Sequence, residues 1–327
     1  MRSSEPKMVG GGQRSAPKSL FVAIVLLLAS SGFASAQSLY KYRGAEGEWI
    51  YSDRPPDDDT LVEVRQLEGA TKDAAEVDVT HEFAGRTVQL IAHNRSYVPI
   101  ELVVTFKTIQ GLEFPDPDQP LTWVVPPRSD LSLIALDLLE NESAPFLEYQ
   151  YQHLAGDPAA RHRPGQAYRA PFAVATDHPV TQAFPEVATH MTRDSQYAVD
   201  VAMPIGTDIM AARGGVVFDV AASNFRGGLD PARDGPAANV IRILHDDGTY
   251  AIYAHLNTNS IRVRPGDRVQ RGQYIADSGN TGFSSGPHLH FAVVRNAGMA
   301  IESVPVTFMG QNSTTIVPAT GTVLTAY

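Results

Sequence analysis

The chain has no cysteine among its 327 residues, so no disulfide can staple it and any metal site must be built from His, Asp or Glu. Basic side chains are also scarce, 26 Lys and Arg against 36 Asp and Glu, for a net charge of -10. That balance argues against a nucleic-acid partner, because phosphate binding needs a basic surface. A membrane-spanning run of about 20 apolar residues is missing too. The nearest candidate, Leu20–Leu28, is too short. What surrounds that run explains it. Arg2, Lys7, Arg14 and Lys18 precede it, and Ala34-Ser35-Ala36 follows with the small residues of a cleavage site. Residues 1–36 therefore read as a signal peptide, which places the mature chain outside the cytoplasm, periplasmic or in the cell envelope, with no stable span after cleavage. Its removal takes away four basic groups and one acidic group and moves the net charge from -10 to about -13.

The remaining length suits two or three compact units. Leu39–Pro56 carries two short aromatic stretches around Gly44 and Gly47, and 37–60 is expected to be a small module, followed by an acidic linker at 61–76. From 77 to 178 the pattern is all-β. Ile100, Leu102, Val104 and Phe106 alternate with Glu101, Val103 and Thr105, Leu131, Leu133 and Ala135 repeat the period, and proline-rich turns separate the runs. This predicts a β-sandwich-like domain. Residues 179–310 are glycine-punctuated and strand-rich, and 311–327 read as a loosely held, Thr/Ser-rich tail. The fold class expected is mainly β, an antiparallel β catalytic domain behind a β-sandwich-like one.

The ten histidines are then the residues to sort. His288 and His290 in Gly286-Pro287-His288-Leu289-His290-Phe291 are two apart, so on a strand they share one face while Leu289 and Phe291 share the other. A lone HxH is a weak signal. It gains weight from Tyr253-Ala254-His255-Leu256, and from Asp200, a carboxylate inside the otherwise apolar Tyr197–Ala202. A buried, unpaired Asp is costly and needs a cation or hydrogen-bond donors. His245, before Asp246-Asp247-Gly248, reads as structural; His178 reads as an exposed boundary residue; Asn239 is a candidate for orienting a substrate or ligand.

These residues resemble the lysostaphin/LytM-type zinc peptidoglycan endopeptidases, which have the duplicated-hybrid-motif fold. The resemblance rests on Asp200, Met203–Thr207, Ala211–Val217, Tyr253–Leu256 and Ser278–Phe291, with Asp208 where the family usually has Pro. It implies one Zn2+ per chain, with Asp200 and His290 as ligands and His255 and His288 as catalytic histidines, one of which serves as base. The family usually has its first His four residues before the Asp, but position 196 is Gln. A branch with an insertion there resembles Gln182, Phe184, His190 and Tyr197–Asp200, which makes His190 the third ligand. Asp194 stands four residues after His190 but lies in a polar, turn-like stretch, so Asp200 is preferred. The function implied is hydrolysis of peptide cross-links in peptidoglycan, with its peptide stems as partner. The alternative is an inactive wall factor of the same fold that regulates another hydrolase. A lipoyl-like carrier is excluded, because no Lys occurs between Val201 and Met309.

Overall fold

A computed structural model describes the backbone of residues 37–43, 49–52 and 63–67, and residues 76–114, 121–140 and 145–327 in full. The signal-peptide reading of 1–36 lies outside the described residues. Gln37–Arg43, Trp49–Ser52 and Glu63–Leu67 form one antiparallel three-stranded sheet. Its third strand falls in the stretch expected to be linker. The chain is mostly β and its large sheet is antiparallel throughout, as expected.

Between Val77 and Ala155 the chain makes two three-stranded antiparallel sheets. Val77–Ala84, Thr87–Asn94 and Ser129–Asp137 form one; Leu121–Val125, Ile100–Gln110 and Phe146–Ala155 form the other. Alternation sends Val79, Leu90, Ala92 and Leu133 from the first, and Leu102, Val104 and Val125 from the second, into one shared apolar cluster.

A nine-stranded sheet organises the rest. Its order is Arg268–Val269, Gly215–Ala221, Val240–Leu244, Tyr250–Ala254, His288–Asn296, Val199–Ala202, Asp177–Gln182 and Val323–Thr325, with Ile301–Ser303 paired to the end of His288–Asn296. One face lies on the main core. Leu289, Phe291 and Val293 meet Val199, Val201, Ala251, Tyr253, Ile241 and Ile243 there, under a second layer that includes Ile209, Ile275 and Phe308. Fully burying each large side chain contributes roughly 1.5–3 kcal/mol. The Tyr253 hydroxyl accepts the Ala212 amide proton at 2.7 Å, so the ring goes in without an orphaned polar end.

The tail corrects an expectation. Val323–Thr325 pairs with Asp177–Pro179 at the sheet edge, and Leu324 and Ala326 are each 1% exposed in the main core. Its polar composition conceals two apolar residues that close the core, so 311–327 is not loosely held. His178 is likewise not a free boundary residue. Its ring packs edge-on against Phe172 at 4.8 Å, and burial lowers its pKa.

Candidate metal centre

Side chains two apart on a strand share a face. His288 and His290 therefore project from the face opposite the main core, together with Ala292 and Val294. Register does the next step. Asp200 is directly across from His290, Gln182 is across from Asp200, and Ala254 is across from His290 on the other side. Residues directly opposite in antiparallel strands have Cβ atoms about 4.5–5.5 Å apart. Gln182, Asp200 and His290 are thus one lateral row across three strands.

His190 reaches this row from the segment joining Gln182 to Val199. It is 4% exposed, and its Nε2 lies 3.2 Å from Asp200 Oδ2. His290 Nδ1 lies 2.9 Å from Asp200 Oδ1, and the His190 and His290 rings meet edge to face with centroids 4.9 Å apart. Donor atoms of His190, Asp200 and His290 all fall within 4.8 Å of one another. Asp194, by contrast, is exposed.

His255 breaks strand alternation to arrive. Ala254 faces the site and Tyr253 the core, so a regular strand would turn His255 coreward. Its φ of +62° places it in the left-handed region instead, a conformation of about 1–3 kcal/mol cost that the surrounding contacts must sustain. Its ring then lies 4.5 Å from that of His288 and 5.9 Å from that of His290. The Nδ1 protons of both outer histidines are committed to carbonyls, His255 to Thr281 O at 2.7 Å and His288 to Gly286 O at 2.8 Å. In the neutral tautomer this leaves each Nε2 as an acceptor.

The electrostatics follow from burial and proximity. Burial alone would raise the Asp200 carboxyl, but hydrogen bonds from His190 and His290, and their positive charge, hold it well below the usual carboxylate range. Burial first, then the like charge of His288 and His290, pushes His255 down to about 3. A buried carboxylate held between two imidazoles, with no thiol available, is a donor set that suits a divalent cation such as zinc. The His190 imidazole also differs from those of His255 and His288: no carbonyl fixes its proton, and its Nδ1 is buried without a partner. The residues fit the ion.

Two other sequence readings have different outcomes. His245 is structural as expected: its Nδ1 donates to Gly214 O at 2.9 Å, and it is 3% exposed. Asn239 does not orient a substrate. It is 0% exposed, its side chain accepts from Asn224 N and donates to Asn224 O and Leu256 O, and no amide atom remains free. From sequence, Gln182 is only part of a pattern. Its Oε1 accepts from Ala188 N and Thr189 N, and its Nε2 donates to Asp200 Oδ2 at 2.8 Å and reaches His190 Nε2 at 3.2 Å. Its place across from Asp200 was the missing signal, and a single sequence does not show register.

Part of the chain is similar to known proteins. Residues 194–303 match the family model "Peptidase family M23", a span that includes Asp200, His255, His288 and His290 but starts after His190. The chain is 36% identical over 104 residues to the glycyl-glycine endopeptidase ALE-1 of Staphylococcus capitis, covering 32% of this chain and 25% of that protein. It is 37% identical over 118 residues to the peptidoglycan DD-endopeptidase ShyA of Vibrio cholerae, covering 36% and 22%. The match thus spans about a quarter of the length of each relative. Among solved structures, the catalytic domain of the prophage-encoded M23 protein EnpA from Enterococcus faecalis aligns at 28% identity and a TM-score of 0.31, covering 41% of this chain and 92% of that one.

Proposed function

We propose, from the match of residues 194–303 to Peptidase family M23, that the chain is a zinc-dependent endopeptidase hydrolysing peptide cross-links of peptidoglycan. The observation that carries the reading is the row of Asp200 and His290, capped by His190, with the Nε2 atoms of His255 and His288 left free beside it. The endopeptidase names of the relatives support the substrate class. His190, Asp200 and His290 would hold the zinc ion. When bound, zinc polarises a scissile carbonyl and acidifies a water molecule to a pKa near 7.

The chain's own residues do the rest. His255 and His288 cannot use Nδ1, which each has given to a backbone carbonyl, so proton traffic is restricted to Nε2. One imidazole takes the proton of the attacking water and returns it to the leaving amine. The other, as the imidazolium with Nδ1–H still on its carbonyl, donates through Nε2 to the oxygen on which negative charge develops. Their rings are 4.5 Å apart, close enough to serve one peptide bond. The mature protein acts outside the cytoplasm, and no helix among the described residues is long and apolar enough to cross a membrane.

Metal analysis of the purified protein, together with digestion of isolated sacculi, tests this. One zinc per chain is expected, with release of peptide cross-links that a chelator abolishes and added zinc restores. Zinc-loaded protein that releases nothing would show an inert relative of the fold, and chelator-resistant hydrolysis would remove the metal from the reaction.

A further inference from the structure

Both outer histidines take their orientation from one turn, Asn280–Gly286. Thr281 O fixes His255, while Gly286 O and Ser284 Oγ, the latter at 3.2 Å, fix His288. On its inner side the turn is pinned by Thr281, whose Oγ1 accepts from Asn239 N at 2.9 Å and donates to Leu256 O at 2.8 Å. Its outer edge is a two-residue parallel pairing, Gly227 with Gly282 and Gly228 with Phe283, closed by Gly282 N donating to Arg226 O at 2.7 Å and Ser284 N to Gly228 O at 3.0 Å. So short a pairing is marginal alone.

The segment that supplies Gly227-Gly228 is tied at its other end by Asp234. This side chain is 0% exposed. Its carboxylate accepts from Arg233 Nε and Nη2, both at 2.8 Å, from the Asp230 amide at 3.0 Å, and faces Arg226 Nε at 3.0 Å. Fit on both sides of the edge is close. A Cβ at 228 would lie 2.3 Å from Asp234 Oδ2, and one at 227 would lie 2.0 Å from Asn280 O. A continuous set of contacts thus runs from Asp234 through Arg226 and Gly228 to Gly282 and Ser284, and from there to the carbonyls that hold both imidazoles. Burying an ion cluster is a poor way to gain stability, since well-packed apolar residues commonly do as well. Orientation is the better account.

We propose that Asp234 is a positioning residue for His255 and His288, acting through the Gly227–Gly228 edge and the Asn280–Gly286 turn. The inference rests on the peptidase reading above, but its structural half can be measured without turnover. Asp234→Asn in the full zinc-loaded chain keeps the shape and removes the charge. Its kcat is expected to fall by about 10–100-fold, with KM within about twofold of the parent and zinc retained. Amide exchange at Gly282 and Ser284 should accelerate, and the His255 ring proton should lose its protection, while Leu289–Val294 stays protected. The control Asp219→Asn, a half-buried carboxylate paired with Arg242, should change none of these. Should Asp234→Asn fail to fold, Gly228→Ala displaces the same contact from the other side and is read the same way. An unchanged kcat, unchanged exchange at Gly282 and Ser284, or a loss of rate that follows loss of zinc would each overturn the proposal. If the parent chain itself cleaves nothing, the peptidase reading falls, and the exchange measurements still decide whether Asp234 holds the turn.

Discussion

Gln182 extends the row that Asp200 and His290 begin. With its Oε1 held by two backbone amides, 188 and 189, its amide cannot flip without losing both, so Nε2 faces Asp200 and His190. The same contacts carry the segment that delivers His190 from ten positions upstream of Asp200. Replacing it therefore removes a donor to one proposed ligand and the anchor of another. Gln182→Ala should weaken zinc binding by about 10–100-fold, read by competition with a chelator of known affinity. Equal affinity in parent and variant would reduce Gln182 to a bystander. His288 and His290 were legible in the sequence because a period of two is local. Gln182 and the left-handed turn at His255 were not, since one depends on which strand lies alongside and the other on a backbone state that composition does not signal.

At the level of elements, the strong alternations survived translation into structure. Ile100–Phe106 and Leu131–Ala135 are strands of the two small sheets, and the HxH run opens the central strand of the large one. Short strands were invisible: Val323–Thr325 has too few residues to show a period. His245 shows how one side chain joins two elements. It follows Val240–Leu244 and donates to Gly214 O, at the start of Gly215–Ala221. Burial pushes it from 6.5 down to about 4. The folded chain therefore keeps it neutral between these values, where the unfolded chain takes up a proton. Stability is whole above pH 6.5 and falls as the pH drops towards 4, by about 3 kcal/mol at the limit for this group. In His245→Asn, where the amide can still donate to Gly214 O, the difference in denaturation midpoint between pH 7.5 and pH 5 should shrink. Parallel pH profiles for parent and variant would contradict the assignment.

Across the whole molecule, the face that bears the proposed metal ligands also receives the preceding β domain. His288 and His290 are followed on that face by Ala292 and Val294, which join Ala198, Phe218 and Tyr250 in a cluster with Val77, Val98 and Ile100. The two units are locked at the end of the same strand. Asn296, 0% exposed, donates to Glu101 Oε2 at 2.8 Å and to Gly156 O at 3.0 Å, and the Met299 amide donates to the same Glu101 oxygen at 2.6 Å. Glu101 is itself 5% exposed, so these donors hold a buried carboxylate. Asn296→Ala removes one of them and is expected to cost about 2–4 kcal/mol, more than an ordinary hydrogen bond because a charge is left under-solvated. In a unit of this size that is a fall in Tm of roughly 5–10 °C. Glu101→Gln in the same background should recover part of the loss, since the under-solvated group is then neutral. Asn296 lies six residues, about 20 Å, along the strand from His290. Zinc content and kcat well below the melting temperature should therefore match the parent. A variant that melts normally would show that the two units are held by the apolar cluster alone, and one that loses zinc while still folded would show that the interface and the metal face are a single mechanical unit.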